Sequence, residues 1–468
     1  MEARKKGITP EIVDFICKTS HQGMPPEVIQ MGKRCLIDGF GVILAGSTEW
    51  CSQIIREFID QAETSSQATT LGRGSRKTTV SMAALANGTS GHAMDFDDTQ
   101  LSRSPDRIYG LLTHPTIPPL CATLAVGEQK EASGRAFLES FLIGFEVECK
   151  IAEAINPDHY KKGFHTSGTI GTFGAAAGAA KLLGLDGQQT ACALGIAASL
   201  SSGIRANFGT MTKPLHVGRA AQNGVTAAHL ASLGFTSDSS SLDGPWGYFQ
   251  IFGGGFDEEK ISGRMGNPYT IVDPGVSVKP YPSGVLSHPS MDALLDLVKE
   301  YEIQAEQVDE IRLGAGSNIL NPLRYQNPQT ALEAKFSLPF CLASIVLDRK
   351  AGIRQFRDEF VKSPRVQDMM KRVKTYLNPD IESRGYDRIL SIVEVKLKDG
   401  KTFNKESGPY RGSPQNPLTQ GALEQKFKEC GELVLDGGKI SDALRLINGI
   451  EDVANLNELI HMLISDEG

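Results

Sequence analysis

Residues 168–186 read G-T-I-G-T-F-G-A-A-A-G-A-A-K-L-L-G-L-D, and residues 193–204 read A-L-G-I-A-A-S-L-S-S-G-I. Both are helical stretches built from small side chains. A glycine inside a helix costs roughly 0.5–1 kcal/mol relative to alanine, so repeated glycine implies a return in close backbone approach. The expected result is a pair of central helices packed tightly against their neighbours. Gly168, Gly171 and Gly174 resemble a dinucleotide fingerprint, but the pattern is G-x-x-G-x-x-G with no clear strand before it, so a nucleotide site is set aside.

Outward from these helices, the sequence up to about residue 265 reads as helix after helix. Thr9-Pro10-Glu11 and Pro25-Pro26-Glu27 are start signals, and further helices are expected near 51–63, 77–90, 115–130, 134–155, 187–205 and 213–233. Beyond it the texture changes. V-D-E-I-R-L-G (308–314) reads as a strand, and I-L-S-I-V-E-V-K-L-K-D-G-K-T-F (389–403) as a hairpin with a two-residue Asp399-Gly400 turn. Helices are expected at 287–303, 328–348 and 366–376, then again at 419–430, 440–449 and 453–464. The expected fold is mainly α: a large all-helical domain (1–267), a smaller α+β lid domain (268–405), and C-terminal helices (406–468) returning to the first domain.

A chain of 468 residues exceeds the roughly 250–300 at which one core stops growing, which agrees with two domains. Lys and Arg total 48 against 55 Asp and Glu, a net charge of −7, so no general field draws polyphosphate and nucleic acid is not an expected partner. The eight cysteines are scattered without a C-x-x-C pair and read as buried thiols in a reducing compartment. The N-terminus has no apolar signal-like run, and no stretch of about 18 apolar residues spans a bilayer. A cytoplasmic protein without membrane partners is the expectation.

Chemistry concentrates in a few segments. In G-H-A-M-D-F-D-D-T (91–99), a continued helix places His92, Asp95 and Thr99 on one stripe, with Asp98 beside them and Asp97 turned away. This is an acid/base or positioning site, or else a solvated acidic helix end; a metal reading is set aside for want of a second carboxylate cluster. His114, in T-H-P-T, precedes a helix whose positive end depresses an imidazole pKa, though a capping or surface role is the ordinary reading. Before it lie Arg103, Arg107 and Tyr109, read as exposed.

His165 introduces the small-residue helix, where Thr166 or Ser167 caps a first turn able to receive a carboxylate. In G-T-M-T-K-P-L-H-V-G-R, Lys213, His216 and Arg219 gather at a helix's positive end, which favours either a bound anion or acidic residues of the same chain. Finally, V-S-V-K-P-Y-P-S-G-V-L-S-H-P-S offers Lys279, Tyr281, Ser283 and His288 in a loop that either closes over a ligand or merely links domains.

Together, H-A-M-D-F-D-D-T, T-H-P, G-F-H-T-S-G-T-I-G-T-F-G-A-A, G-T-M-T-K-P-L-H-V-G and E-A-K-F-S-L-P-F (333–340) resemble the MmgE/PrpD family over most of the chain. The resemblance implies a homodimer, an active site between the domains and no metal or organic cofactor. It carries Asp95, Thr99, His114, His165, Lys213 and Lys279 onto the family's site positions. It further implies proton transfer next to a carboxylate in a small di- or tricarboxylate. His114, His165, Asp95 and Lys213 are then expected to be catalytic, and Thr99, Thr166, His216, Lys279 and Tyr281 to bind substrate.

The leading expectation is a cofactor-independent dehydratase or decarboxylase. The alternatives are an epimerase of a dicarboxylate such as iminodisuccinate, which N-F-G-T-M-T-K-P especially resembles, and a carboxylate-binding protein without catalysis. Two departures separate the chain from decarboxylase members: Gly284 stands where they carry a histidine, and the Thr99–His114 spacer is longer.

Overall fold

The computed structural model describes residues 7–61, 65–101, 113–385 and 388–465. Arg103, Arg107 and Tyr109 lie outside the described residues. Helix accounts for 58% of the described residues and strand, isolated bridges included, for 10%, so the mainly α expectation holds. The chain divides into a larger unit, made of residues up to Val276 and from Thr419 onward, and a smaller unit spanning Ser277–Leu418.

The smaller unit therefore starts and ends later than the 268–405 expected. At its start, Thr270 donates both its N–H and its hydroxyl to the buried Glu146 carboxylate, which keeps this segment with the larger unit. At its end, the Tyr410 hydroxyl donates to Ser277 Oγ and Arg411 pairs with Asp292, which holds 410–411 in the smaller unit.

In the larger unit, the small-residue stretch forms the helix Gly171–Leu183, preceded by a separate turn, Thr166–Thr169. Gly184, at φ 71°, stops the helix in the left-handed conformation, and the Leu185 N–H returns to the Ala180 carbonyl as in a Schellman motif. This helix packs on Gly134–Ile155, which buries Phe137, Phe141 and Phe145, and on Thr212–Ser232.

The contact that positions the site is the crossing of the helices Val80–Ala93 and Thr212–Ser232. They run antiparallel, since Met82 Sδ accepts from Gln222 while His92 meets Lys213. A Cβ on Gly218 would lie 2.2 Å from Thr89 Oγ1 and 2.5 Å from the Leu85 carbonyl oxygen. Only glycine allows this approach. The close crossing carries the end of one helix against the start of the other.

The smaller unit holds a four-stranded sheet in the order β4-β3-β5-β6, formed by β3 (Val308–Ala315), β4 (Val373–Leu377), β5 (Ser391–Leu397) and β6 (Thr402–Glu406); β1 (Ala68–Thr70) and β2 (Arg76–Thr78) form a hairpin in the larger unit. β3 pairs parallel with β4 and antiparallel with β5. Two expectations are corrected here. Residues 373–377 are an edge strand rather than the end of a helix, which stops at Lys371. The β5–β6 turn has three residues, 398–400, because Leu397 and Lys401 still pair through Leu397 N–H to Lys401 O, with Gly400 at φ 91° completing the loop.

Candidate active site

His92 lies in the last turn of Val80–Ala93, and the helix ends one residue later. Asp95 then adopts φ 52°. A left-handed non-glycine residue costs of order 1–3 kcal/mol and persists only where its surroundings hold it. The turn overturns the helical stripe drawn from the sequence. Asp97, expected to face away, is fully buried and points into the cluster.

Asp97 receives two imidazoles. His92 Nδ1 lies 2.8 Å from Asp97 Oδ2, and His114 Nδ1 lies 3.1 Å from the same oxygen. Burial pushes the Asp97 carboxyl up, but the charges and hydrogen bonds of His114 and His92 outweigh it and hold the group well below the usual carboxylate range. Burial chiefly, helped by Lys213 and His114, lowers His92 to about 3 against the opposing pull of Asp97. His92 is therefore neutral near pH 7. Its ring proton belongs on Nδ1, where the carboxylate can only accept, and its Nε2 is left as an acceptor.

Lys213, in the first turn of Thr212–Ser232, supplies that donor. Its Nζ lies 2.6 Å from His92 Nε2 and 2.9 Å from Asp95 Oδ1. The lysine is buried, 5% exposed, so its charge is answered inside the protein rather than by water. The sequence left two ways of balancing the cations at this helix start, and the anion in contact with Lys213 is Asp95 of the same chain. Of the expected trio only Lys213 is a buried cation: Arg219 is exposed and bonds Gln222, and burial followed by Lys213 lowers His216 to about 4.

His165 caps the short turn Thr166–Thr169, and its Nδ1 lies 3.0 Å from His216 Nδ1. Burial, then Lys213 and the neighbouring imidazoles, hold His165 well below the ordinary histidine value. Two neutral rings sharing this bond must be opposite tautomers, one donating and one accepting. The His165 and His92 ring centroids are 5.6 Å apart, which joins the pair to the main cluster. Thr166 is fully buried, and its hydroxyl has no hydrogen-bond partner among the described residues. Ser167 Oγ instead accepts the His114 N–H at 2.9 Å. Thr99 Oγ1 lies 3.4 Å from His114 Nδ1.

The larger unit thus brings together seven of the nine residues marked from the sequence. The other two belong to the smaller unit. Lys279 is buried there at 1% exposure. The Tyr281 hydroxyl donates to Asp292 Oδ1 at 2.6 Å and also accepts from Arg411. Gly284 packs beside Leu323 and Phe336.

His92, Asp95, Asp97 and His114 each offer one ligand atom, and these atoms lie within 4.8 Å of one another. The metal reading was set aside for lack of a second carboxylate cluster, whereas here two histidines complete the donor set. A cation binding there has to displace the Lys213 ammonium from His92 and Asp95. His92 and Asp97 are what the sequence reading undervalued. The single cue was that aspartate tolerates the left-handed conformation better than most residues, so that the helix could turn at Asp95.

A lysine, two carboxylates and four imidazoles from four separate stretches thus meet around the ends of the antiparallel helix pair. Residues 10–260 match the MmgE/PrpD N-terminal domain and residues 281–447 the MmgE/PrpD C-terminal domain, so the chain belongs to the MmgE/PrpD family. Among its relatives it is 27% identical to human cis-aconitate decarboxylase, over 98% of this chain and 95% of the relative. The mouse cis-aconitate decarboxylase is also 27% identical, over 98% and 93%. The Aspergillus terreus cis-aconitate decarboxylase is 22% identical, over 98% and 96%. Among the described residues, no helix is long and apolar enough to cross a membrane.

Proposed function

We propose that this protein is a lyase of the dehydratase or decarboxylase type that acts on a small di- or tricarboxylate by moving a proton at a carbon next to a carboxylate. The observation that carries the reading is the shared Asp97 carboxylate. It fixes the Nδ1–H of both His92 and His114, so that each ring presents Nε2 as its acceptor. His92 Nε2 is taken by Lys213. His114 Nε2, 4.0 Å from Asp95 Oδ1, belongs to the most exposed side chain of this group, at 12%, and is the atom suited to exchange a proton with substrate.

In this reading His114 acts as general base or acid, with Asp97 holding its tautomer and orientation. Lys213 offers its ammonium to a substrate carboxylate or to the enolate-like charge that develops at the reacting carbon, loosening from Asp95 as it does so. His165 and His216 are neutral before substrate arrives. A carboxylate beside them favours their protonated forms, so a second proton enters the site with the substrate. Thr166 and Thr99 supply hydroxyls for orientation. No metal or organic cofactor takes part.

The 27% identity to cis-aconitate decarboxylases over nearly the whole chain supports the carboxylate class. The particular acid is left open by Gly284 and by the long spacer before His114. Incubating the protein with candidate di- and tricarboxylates in D₂O tests the reaction. A lyase yields a new alkene, with release of water or CO₂; exchange of the α-proton with inversion and no net loss signifies an epimerase; tight binding without either makes the chain a carboxylate binder. Lys213→Ala is expected to lower kcat/KM by about 10²–10³, in the range measured for loss of one charge-stabilising donor. An unchanged kcat/KM in a folded Lys213→Ala protein overturns the role given to it.

A further inference from the structure

The loop that carries Asp95 and Asp97 is held from an unexpected direction. Lys426, in the helix Gln420–Gly431 of the C-terminal segment, lies 330 residues further along the chain, yet its Nζ donates to the Phe96 carbonyl at 2.8 Å. The same ammonium lies 3.7 Å from the Phe96 ring centroid and 2.6 Å from Asp38 Oδ1. All three residues are buried: Lys426 is 7% exposed, Phe96 5% and Asp38 2%. Phe96 is the residue between the two site carboxylates, and the residue before it is in the left-handed conformation.

We propose that Lys426 is a positioning residue for the reaction. It fixes the Phe96 peptide, and through it the aim of Asp95 at Lys213 and of Asp97 at His92 and His114. The inference rests on reading the Asp97 cluster as the catalytic site. Three features support it over a purely structural ion pair. The ammonium spends a hydrogen bond on one backbone carbonyl of the site loop. The phenylalanine ring receives the same cation on its face, a cation–π contact that pins residue 96 a second time. Asp38 holds the ammonium from the helix Pro26–Gly46, and its charge also reaches Asp98, whose carboxyl is raised by burial and then by Asp38.

Lys426→Met alone leaves Asp38 as a buried uncompensated charge, so the informative variant is the double Asp38→Asn/Lys426→Met, with Lys428→Met, exposed on the same helix, as the control. With the acid that wild type turns over in the D₂O assay, the double variant is expected to fold with a Tm near wild type. Its kcat should fall about 10–100-fold while KM changes less than about threefold, because small misplacement of catalytic groups costs that much. A folded double variant with wild-type kcat overturns the proposal.

A second readout does not depend on turnover. In wild type, the two Nδ1–H groups that donate to Asp97 should give far-downfield proton resonances, assigned with His92→Gln and His114→Gln. In the double variant these should shift or broaden, whereas in Lys428→Met they should not. Unmoved resonances in the double variant likewise overturn the inference. If wild type turns over no acid, the proposed function fails, while the resonances still judge the role of Lys426.

Discussion

Two polar clusters of this protein, one buried and one half-buried, put the same kinds of group to different use. In the smaller unit, Arg411 gives Asp292 three hydrogen bonds, from its backbone N–H, Nε and a terminal nitrogen, and Tyr281 donates a fourth. Four donors from two residues converge on this one carboxylate, three of them on Oδ1, as expected of a network that fastens 281, 292 and 411 together. In the larger unit, one carboxylate serves two imidazoles, one ammonium serves an imidazole and a second carboxylate, and a left-handed aspartate joins them. An ammonium divided between a neutral imidazole and a carboxylate can turn to an incoming anion, whereas the Arg411 guanidinium is already gripped by Asp292, with three of that arginine's donors engaged. The difference separates a site from a clasp.

The sharpest way to break this contrast is to remove the group assigned the proton. His114→Gln keeps a side chain able to donate to Asp97 but offers no imidazole nitrogen to substrate. Its kcat is expected to fall by about 10²–10⁴, the usual worth of a positioned acid or base. Stability should change little, because the His114 side chain is less enclosed than those of His92, Asp95, Asp97 and Lys213. Steady-state kinetics with the accepted acid, together with thermal unfolding, checks both halves. Retained kcat makes the shared carboxylate a structural device like the one at Asp292.

The converse change sharpens the other side. Tyr281→Phe removes the hydroxyl between Asp292 and Arg411 and should destabilise the protein by about 1 kcal/mol, the net value of a typical hydrogen bond. Because that hydroxyl is engaged within its own unit, KM is expected to stay within about twofold. A tenfold rise in KM restores Tyr281 to the substrate-binding role that the sequence reading gave it.

How far the sequence reveals this contrast depends on which physical signal each element carries. The helices were legible because apolar spacing, proline at helix starts and small-residue runs are local. The Gly171–Leu183 core helix and the hairpin of β5 and β6 carry their signatures within a few residues. The strand β4 was not legible: V-K-T-Y-L follows a helix directly, and its strand character comes from pairing with β3, some sixty residues away in sequence. At the site, Lys213, His114 and His165 stood out by residue type at helix starts. Asp97 did not, because its direction is set by one backbone torsion at Asp95 that nothing nearby in the sequence enforces. Part of what enforces it, the Lys426 contact with Phe96, arrives from the end of the chain.

The effect expected to be smallest on turnover concerns protons. His159 is a third kind of buried histidine, stacked on Phe164 at 4.6 Å between centroids, with Nδ1 at 3.2 Å from the Phe252 carbonyl and Nε2 at 2.8 Å from Thr169 Oγ1. Burial lowers it to about 4. Between that value and about 6.5, the unfolded chain binds a proton on this ring and the folded chain does not. Folding stability from this residue is therefore fully present above pH 6.5 and is lost as pH falls toward 4, at up to about 1.4 kcal/mol per pH unit.

His92 acts in the same sense over a wider span, from about 6.5 down to about 3. Asp98, Glu146 and Glu148, all raised by burial, act in the opposite sense, since their folded forms keep protons that the unfolded chain releases as pH rises. The slope of wild-type stability is thus a difference of opposing contributions, and the informative quantity is how it changes on substitution. His159→Gln should lower the pH dependence of the denaturation midpoint between pH 6.5 and 4.5 by roughly one bound proton, while leaving the pH profile of kcat unchanged. If instead the kcat profile shifts with His159→Gln, this ring is coupled to the site and belongs with it rather than with the clasp.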